Sequence, residues 1–285
     1  MKICEILSTN RPTLSFEVFP PKTSDKFETV QSSVKTMSAL KPAWMSVTYG
    51  AGGGTSDYTV KIAQGIKDSG VAALAHLSCI SSTKERVRSQ LTQLKELGIE
   101  NILALRGDKP ADFDESNLQY HYASDLIEEI KAFGDFCIGA ACYPEGHPEA
   151  GCWSNDIINL KKKVDAGCDF LTTQMFFDNG MFYSFRYRCR EAGIQVPIVA
   201  GIMPITNQVQ VARALQLSQA YMPPKFRSLV DHFGSNPAAM KQAGIIYATD
   251  QIIDLLANGI NNIHIYTMNK PDVAEAIMKN LSELM

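Results

Sequence analysis

The sequence predicts an α/β fold, a single (β/α)8 TIM barrel that spans residues 1–285 as one domain. Eight short apolar segments alternate with longer helical segments, and no linker or change in composition divides the chain. The length of 285 residues suits this fold, which typically needs about 250 residues. An open, doubly wound sheet also alternates strands and helices, but it usually has fewer strands and a glycine-rich first turn.

Eight segments have the composition of strands that are buried on both faces. They are rich in Val, Ile, Phe or small residues, and each is followed by polar residues, Gly or Pro. Nearly continuous apolar segments are typical of a parallel sheet that is covered on both sides. The predicted strands are residues 13–19, 44–49, 72–79, 101–106, 136–143, 169–174, 196–203 and 262–267.

Helices are predicted between these strands, because capping residues open them and glycines follow their ends. Asp25 and Thr83 can act as caps, and Gly70 and Gly98 mark ends. The predicted helices are residues 25–40, 57–69, 83–97, 154–166, 179–192 and 272–284. The long gap between the seventh and eighth strands is predicted to hold extra helices at residues 206–219, 223–233 and 237–258.

Charge and hydropathy argue against two classes of partner. The formal net charge of −3 implies no strongly basic face, so nucleic acid is not an expected partner. No apolar run approaches the ~18 residues that indicate a membrane span. Glu5 interrupts the apolar stretch near the N-terminus, so no signal-peptide core forms. We therefore expect a cytoplasmic protein that does not bind membranes.

The cysteines and histidines predict no metal site. The seven cysteines are odd in number and irregularly spaced, and no C-x-x-C occurs, so neither a disulfide framework nor a zinc knuckle is expected. His147 lies among acidic residues in the segment 143–149. Two prolines in that segment disturb ligand geometry, and no second histidine lies at helical spacing.

Polar side chains end nearly all of the predicted strands. In TIM barrels the active site lies at the carboxyl ends of the strands, and stability alone does not require polar residues at so many of them. We therefore expect an active site at this rim of the barrel. The residues concerned are Glu17, Thr48, Tyr49, His76, Arg106, Asp108, Tyr143, Gln174, Tyr266, Thr267 and Lys270.

Glu17 is the most informative of these residues, because Phe16, Val18 and Phe19 surround it in the sequence. An apolar setting raises the pKa of a carboxyl group, so Glu17 is a candidate general acid near neutral pH. The alternative is a solvated or ion-paired strand residue, and the sequence leaves both open. Pro20 and Pro21 end the strand and are expected to fix the following loop.

Arg106-Gly107-Asp108 follows the fourth predicted strand and has two interpretations. It is either a capped turn with a surface ion pair, or a site where Gly107 lets the backbone approach a flat ligand beside the charge of Asp108. The segment 50–55 is not a dinucleotide fingerprint, because Thr55 occupies the third glycine position and the segment follows the second strand. We expect a flexible loop there that admits a ligand.

Motifs along nearly the whole chain resemble the methylenetetrahydrofolate reductase family, in the family's order. They include Phe-Glu-Val-Phe-Pro-Pro-Lys at 16–22, Leu-Arg-Gly-Asp at 105–108 and Tyr-Pro-Glu-Gly-His-Pro-Glu at 143–149. Further matches are Ser-Val-Thr-Tyr-Gly-Ala at 46–51, Ala-His-Leu-Ser-Cys at 75–79, Tyr-Ala-Ser-Asp-Leu at 122–126, Lys-Val-Asp-Ala-Gly at 163–167, Thr-Gln-Met-Phe-Phe-Asp at 173–178 and Gly-Ile-Met-Pro at 201–204. Several of these motifs are weak alone, but together they are specific.

The resemblance implies a barrel that binds FAD across the strand ends. NADH or NADPH would reduce the flavin and leave, and methylenetetrahydrofolate would then take hydride from it, in a ping-pong reaction. Glu17 would be the general acid, and Asp108 would favour a cationic iminium. Gln174, Gln210 and Lys270 would bind substrate. The flavin residues would be Thr48, Tyr49, Ala51, His76, Arg106, Gly107, Asp108, Ala123, Tyr143, His147, Asp156, Asn159, Lys162 and Lys163.

The chain departs from the family pattern at two places. Lys270 stands where close relatives often have arginine, which keeps the charge but loses the bidentate fork for a folate glutamate tail. Ala214 and Leu215 stand where an aromatic residue that stacks on a ligand is expected. The resemblance further implies a homo-oligomer or a complex with an iron–sulfur partner subunit, and it leaves the electron donor open between NADH, NADPH and such a partner.

Two other functions compete with this one. Another FAD-binding barrel oxidoreductase, such as a proline-dehydrogenase-like protein, would share the flavin but lack the set of Glu17, Asp108 and Gln174. A non-catalytic barrel subunit of a redox complex would have no physical reason to keep these three residues. A metal-dependent aldolase or isomerase barrel lacks a convincing ligand cluster.

Overall fold

The computed structural model of the protein describes residues 1–21, 23–49, 56–109, 118–218 and 220–285. Eight parallel strands form a closed barrel in which each strand pairs with the next in sequence and the last pairs with the first. The predicted (β/α)8 fold is therefore confirmed. The strands are β1 (Thr13–Val18), β2 (Trp44–Val47), β3 (Ala72–Ser78), β4 (Asn101–Leu105), β5 (Cys137–Cys142), β6 (Phe170–Thr173), β7 (Ile198–Ile202) and β8 (Asn262–Tyr266).

Helices follow each strand and surround the barrel. Three extra helices lie between β7 and β8, as the sequence predicts. Within the described residues the helices are α1 (Ile3–Ser8), α2 (Phe27–Ala39), α3 (Ser56–Asp68), α4 (Lys84–Glu96), α5 (Ala123–Phe133), α6 (Trp153–Asp165), α7 (Asn179–Glu191), α8 (Gln208–Ser218), α9 (Pro224–Phe233), α10 (Pro237–Ala257) and α11 (Pro271–Asn280).

Two helices, α1 and α5, were not among those expected from the sequence. The start of α5 lacks the usual signal, because its N-cap position is Tyr122 and not a small polar residue. Asp125 supplies the cap from inside the helix by accepting hydrogen bonds from the backbone N–H groups of His121 and Tyr122 at 2.8 and 3.1 Å. The start predicted at Asp25 is also displaced, since Ser24–Lys26 forms a 3-10 turn before α2.

Alternation along each strand divides its side chains between two cores. On β1, Leu14, Phe16 and Val18 point outwards and belong to the main hydrophobic core, which fills the space between the barrel and its helices. Ser15 and Glu17 point into the barrel, because successive strand residues face opposite sides. Along β1 the barrel therefore buries polar groups in its interior and apolar groups around its outside.

The amino end of the barrel is closed by α1. Ile3 and Leu7 pack on interior residues that include Trp44, Leu103 and Phe170. The side-chain oxygen of Asn101 accepts a hydrogen bond from the backbone N–H of Ile3 at 2.7 Å, which fixes the start of the helix. This apolar floor leaves the carboxyl ends of the strands as the open rim.

A polar layer fills the middle of the barrel around His264 of β8. Its Nδ1 lies 2.7 Å from the Ser15 hydroxyl and its Nε2 lies 3.2 Å from the Ser46 hydroxyl. The ring stacks on Trp44 of the floor at 6.5 Å between centroids. Burial lowers the pKa of His264 to about 3, so the imidazole is neutral and both ring nitrogens are satisfied by hydroxyls.

A second hydrophobic core lies under the three extra helices, on the carboxyl ends of β6 and β7. Phe226 of α9 is its centre, with ring centroids 4.7 Å from both Phe177 and Tyr247. Met175 belongs to the same core, and Tyr266 packs against it from β8. Within the described ranges, no helix has the length and apolar character to cross a bilayer.

Candidate active site

Glu17 lies inside the barrel near the carboxyl end of β1, with only 6% of its surface exposed. Burial raises the pKa of its carboxyl group to about 8. The solvated alternative therefore does not fit this residue. At neutral pH the group is largely protonated, which is the form that a general acid requires.

His76 of β3 is a titratable neighbour of this carboxyl, with Nε2 3.7 Å from Oε2 of Glu17. Burial lowers the pKa of His76 to about 3, and neighbouring His264 adds to that lowering. A neutral imidazole and a protonated carboxyl do not form an ion pair, so the ion-paired alternative for Glu17 does not fit either. The Nε2 atom of His76 is buried and has no hydrogen-bond partner.

The backbone around Glu17 is held by the turn that follows β8. The Thr267 hydroxyl donates a hydrogen bond to the carbonyl oxygen of Glu17 at 2.7 Å. The side-chain amide of Asn269 makes two hydrogen bonds to the backbone of Phe19, accepting from its N–H at 2.8 Å and donating to its carbonyl at 3.0 Å. Asn269 was not expected at the site from the sequence.

Arg106 forms the surface ion pair that one interpretation of its turn predicted, but with a different partner. Its two terminal nitrogens each donate to a carboxylate oxygen of Glu149 at 2.6 Å. The hydrogen bonds to Glu149 raise the pKa of Arg106, and those from Arg106 lower the pKa of Glu149 to about 2. The carboxylate of Asp108 stays exposed at the rim.

Gly107 has a backbone φ of +89° and is tightly packed. A Cβ atom at this position would lie 2.0 Å from the Ser78 hydroxyl oxygen. That hydroxyl donates to the carbonyl of Arg106 at 3.0 Å, so it holds the same turn. The close approach that requires glycine is therefore one between β3 and the turn after β4.

Tyr143, His147, Asp156 and Lys163 come together beside the carboxyl end of β5. The rings of Tyr143 and His147 meet edge to face at 4.6 Å. Lys163 donates to the carbonyl of Ala141 at 2.8 Å. Burial lowers the pKa of Lys163 and raises that of Asp156, while the attraction between the two opposes both shifts. Asn159 and Lys162 lie on the exposed face of α6, 3.2 Å apart, outside this group.

Thr48 and Tyr49 point to different environments. The Thr48 N–H donates to the carbonyl of Val18 at 3.1 Å, which extends the pairing of β1 and β2 towards the rim. The Tyr49 hydroxyl accepts from the Gln90 amide of α4 at 2.9 Å and so lies outside the barrel. Ala123 is buried at the start of α5. Ala51 and the predicted rim loop at 50–55 fall outside the described residues.

Two of the three predicted substrate residues meet at Thr206, which the sequence did not single out. Lys270 donates to the Thr206 hydroxyl at 2.7 Å, and this hydroxyl donates to Oε1 of Gln210 at 3.0 Å. The Thr206 N–H also donates to Oε1 at 2.8 Å, which leaves the Nε2 end of Gln210 for a ligand. Gln174 directly follows β6, and its Oε1 accepts from the Met175 N–H at 2.9 Å.

The two positions that depart from the family pattern belong to the second core. Ala214 is 2% exposed within it, and Leu215 packs against it. Neither position presents an aromatic face. Across the ranges that the structure describes, no group of three or more His, Cys, Asp or Glu side chains is arranged to hold a metal ion.

A (β/α)8 barrel with a buried, proton-carrying carboxyl at the carboxyl end of its strands defines the class as a barrel enzyme. A sequence model described as methylenetetrahydrofolate reductase matches residues 2–282, nearly the whole chain. The protein belongs to the methylenetetrahydrofolate reductase family and is an oxidoreductase.

Curated relatives support the same assignment over nearly the whole chain. A 5,10-methylenetetrahydrofolate reductase of Pectobacterium carotovorum is 40% identical over 272 residues, covering 95% of this chain and 90% of the relative. The enzyme of the same name from Escherichia coli is 39% identical over 269 residues, covering 94% and 90%. Methylenetetrahydrofolate reductase (NADH) 1 of Zea mays is 38% identical over 295 residues, covering 98% of this chain but 50% of the maize protein.

A solved structure shares the fold at low sequence identity. An uncharacterized protein from Clostridium thermocellum, described as binding two copies of 5-methyl-5,6,7,8-tetrahydrofolic acid, superposes with a TM-score of 0.69. It is 16% identical, and the alignment covers 99% of this chain and 98% of that one. At this identity the likeness shows a common fold.

Proposed function

We propose that the protein reduces 5,10-methylenetetrahydrofolate to 5-methyltetrahydrofolate, with FAD as hydride carrier, NADH as donor and Glu17 as general acid. Family membership supports the reduction of methylenetetrahydrofolate. The choice of NADH rests on the maize relative, whose name specifies that donor. The residues of the rim support the remaining parts of the proposal.

The observation that carries the proposal is the buried carboxyl of Glu17. Opening the five-membered ring of the substrate requires a proton on the ring nitrogen that leaves. A carboxyl with a pKa of about 8 holds its proton at neutral pH and can donate it, whereas an exposed glutamate would have lost it. The rate of this step is expected to fall as the pH rises above about 8, because the deprotonated form has no proton to donate.

The rim has features that fit FAD. The Nε2 atom of His76 is buried without a hydrogen-bond partner. Buried polar atoms normally have one, and a bound ligand could supply it here. Arg106 and Lys163 would supply positive charge for a pyrophosphate at the rim, with Arg106 exchanging Glu149 for it. Lys162 would add its charge from the exposed face of α6. FAD supplies, when bound, a group that accepts hydride from the nicotinamide and returns it to the folate. We assign to it Thr48, Tyr49, Ala51, His76, Arg106, Gly107, Asp108, Ala123, Tyr143, His147, Asp156, Asn159, Lys162 and Lys163.

The remaining rim residues have roles that follow from their charge and hydrogen-bonding groups. The exposed carboxylate of Asp108 stabilises the positive charge that develops on the iminium carbon. Gln174 and the free amide end of Gln210 bind polar groups of the pterin. Lys270 holds the anionic glutamate tail as a single point charge, and its contact with Thr206 fixes the ammonium in place.

The proposal is tested by separating the two half-reactions under anaerobic conditions. The purified protein is photoreduced and mixed with methylenetetrahydrofolate, and the flavin band near 450 nm (about that value for flavins generally) is followed. We expect the wild type to reoxidise and Glu17→Gln to lose reoxidation while NADH still reduces its flavin. Glu191→Gln, at the exposed end of α7, is the matched control and should behave as wild type.

Three results would contradict parts of this proposal. Reoxidation that survives in Glu17→Gln removes the acid role from Glu17 and keeps the reaction. A bound flavin that does not respond to the folate assigns the protein to another type of barrel flavoenzyme. A purified protein that binds no flavin under any loading condition removes the flavin mechanism.

A further inference from the structure

The turn after β8 is hydrogen-bonded to the backbone of β1 and the residue just beyond it, at Glu17 and at Phe19. Thr267 donates to the backbone carbonyl of Glu17, and Asn269 pairs with both backbone groups of Phe19, two residues further along. These three hydrogen bonds span 2.7 to 3.0 Å. Glu17 is the last residue of β1 that pairs with β8, opposite Tyr266, and Phe19 lies beyond this pairing. The turn thus continues the pairing of the first and last strands by means of side chains.

This turn adopts a conformation that costs free energy. Met268 and Asn269 have consecutive positive φ values of +55° and +56°, a left-handed conformation that side chains other than glycine rarely adopt. Asparagine tolerates it better than most residues, and methionine does not. The pair of left-handed residues is what directs the Asn269 amide back onto Phe19. Strain held in this way is common where a functional group must be fixed.

Within the part of the chain that the structure describes, no side chain hydrogen-bonds to the carboxyl of Glu17 and could fix it instead. His76 lies at 3.7 Å, which is beyond hydrogen-bond distance. The Tyr266 hydroxyl, opposite Glu17 in the β1–β8 register, donates to the carbonyl of Thr173 at 2.5 Å. Of the described residues, His76 from β3 and Tyr266 from β8 are titratable neighbours of the carboxyl, and neither hydrogen-bonds to it.

We infer that Thr267 and Asn269 are positioning residues, which hold the end of β1 so that the Glu17 carboxyl stays dry and aimed at the substrate. The inference rests on the role proposed above for Glu17 as general acid. Thr267 is 1% exposed, so its hydroxyl also keeps water away from the Glu17 carbonyl. Loss of either contact lets the strand end move and water enter, and a hydrated carboxyl has a lower pKa than a buried one.

The test uses substitutions that distinguish the hydrogen bonds of the turn, which would position Glu17, from the left-handed backbone conformation of the turn. Asn269→Gly removes the amide and keeps the left-handed conformation without strain, so a purely conformational role predicts a variant at least as stable and as active as wild type. Thr267→Val removes the hydroxyl at nearly constant volume, and Thr267→Ser restores it. For each protein the two half-reactions are measured separately, and the protonation of Glu17 is followed against pH by infrared difference spectroscopy, with Glu17→Gln identifying its carbonyl band.

We expect Asn269→Gly and Thr267→Val to slow reoxidation by methylenetetrahydrofolate about ten- to hundred-fold, because general acid catalysis of that size depends on geometry. Flavin reduction by NADH needs no acid. Its rate should stay within about twofold of wild type, because the substitutions leave the charged groups of the site in place. The midpoint of Glu17 protonation should fall, and Thr267→Ser should recover both rate and midpoint.

Wild-type reoxidation and an unchanged midpoint in both variants would overturn the inference. Equal losses in both half-reactions, accompanied by a lower melting temperature, would assign the turn a structural role only and overturn it as well. Failure of the wild type to reoxidise with the folate would instead count against the proposed function. In that case the infrared midpoint alone still decides whether the turn positions the carboxyl.

Discussion

Burial shifts the pKa values of Glu17 and His76 in opposite directions, although the two side chains lie 3.7 Å apart. Each is driven towards its neutral form, since a charge is costly in an apolar interior. The site therefore contains a protonated carboxyl beside a neutral imidazole, with no net charge on either. Such a pair can give up one proton without having to break an ion pair first.

The raised pKa of Glu17 predicts a stability that falls with rising pH. The folded-state pKa of about 8 exceeds the ordinary value of 4.5, so between these values the unfolded chain releases a proton that the folded chain keeps. Stability from this group is complete below pH 4.5 and is lost as the pH rises towards 8. Glu17→Gln removes this loss, and its free energy of unfolding at pH 9 is expected to exceed that of wild type by at most about 5 kcal/mol.

Denaturant unfolding of both proteins at pH 5 and pH 9 measures this effect. The difference between Glu17→Gln and wild type should be larger at pH 9, whereas Glu191→Gln should show no such pH dependence because its side chain is exposed. An equal difference at both pH values would mean that the Glu17 carboxyl is not buried in solution.

The sequence identified Glu17 as a candidate but could not decide its environment. The segment Phe-Glu-Val alternates apolar and polar residues, so Glu17 can face either solvent or the interior of a closed sheet. Only closure of the barrel places it inside. Thr48 and Tyr49 are neighbours on an extended chain and so face opposite sides, and the Tyr49 hydroxyl accepts a hydrogen bond from Gln90.

At the scale of elements, the turn after β4 depends on a glycine for two separate reasons. Gly107 has a positive φ, and its missing side chain leaves room for the Ser78 hydroxyl. The sequence left two interpretations open for this turn, a capped turn with a surface ion pair or a close approach of the Gly107 backbone to a ligand. The close contact found is with β3, because neighbouring strand ends of a small barrel crowd one another and sequence alone does not show which chain segment comes near.

Gly107→Ala is expected to destabilise the protein by more than the ~1–2 kcal/mol of a left-handed alanine, since its Cβ would also clash with Ser78. Gly259→Ala is the matched control: its φ is +75° and no atom lies within 4 Å of the added Cβ. The free energies of unfolding of the two variants are measured, and their difference gives the free-energy cost of the clash with Ser78. Equal values would show that the Ser78 side chain moves aside without cost.

At the scale of the whole molecule, the three helices between β7 and β8 form a cap with a core of its own. The sequence predicted these helices from the length of the gap, and the structure shows what they do. They cover Met175 and Phe177 just beyond β6 and contact Tyr266 near the acid. Their pairing could not be predicted, because periodicity shows that a helix has an apolar face but not which surface it covers.

Phe226→Ala is expected to cost about 3–5 kcal/mol, as for other large-to-small changes at buried aromatic residues. Phe226 is 1% exposed and stacks between Phe177 and Tyr247. Phe233, at the other end of the same helix, is 37% exposed, so Phe233→Ala should cost under about 1 kcal/mol. The melting temperatures of the two variants are compared by thermal unfolding, and that of Phe226→Ala should be the lower. Similar melting temperatures would contradict the view that Phe226 anchors the cap.

Pairing of β1 with β8 has a consequence for how the protein is made. During synthesis β1, which contains Glu17, is made first and β8 is made last. One edge of β1 is therefore unpaired during most of synthesis. The ring closes only after residues beyond 262 have left the exit tunnel. The burial that raises the pKa of Glu17 is therefore completed only at the final step of assembly, when the last strand closes the barrel.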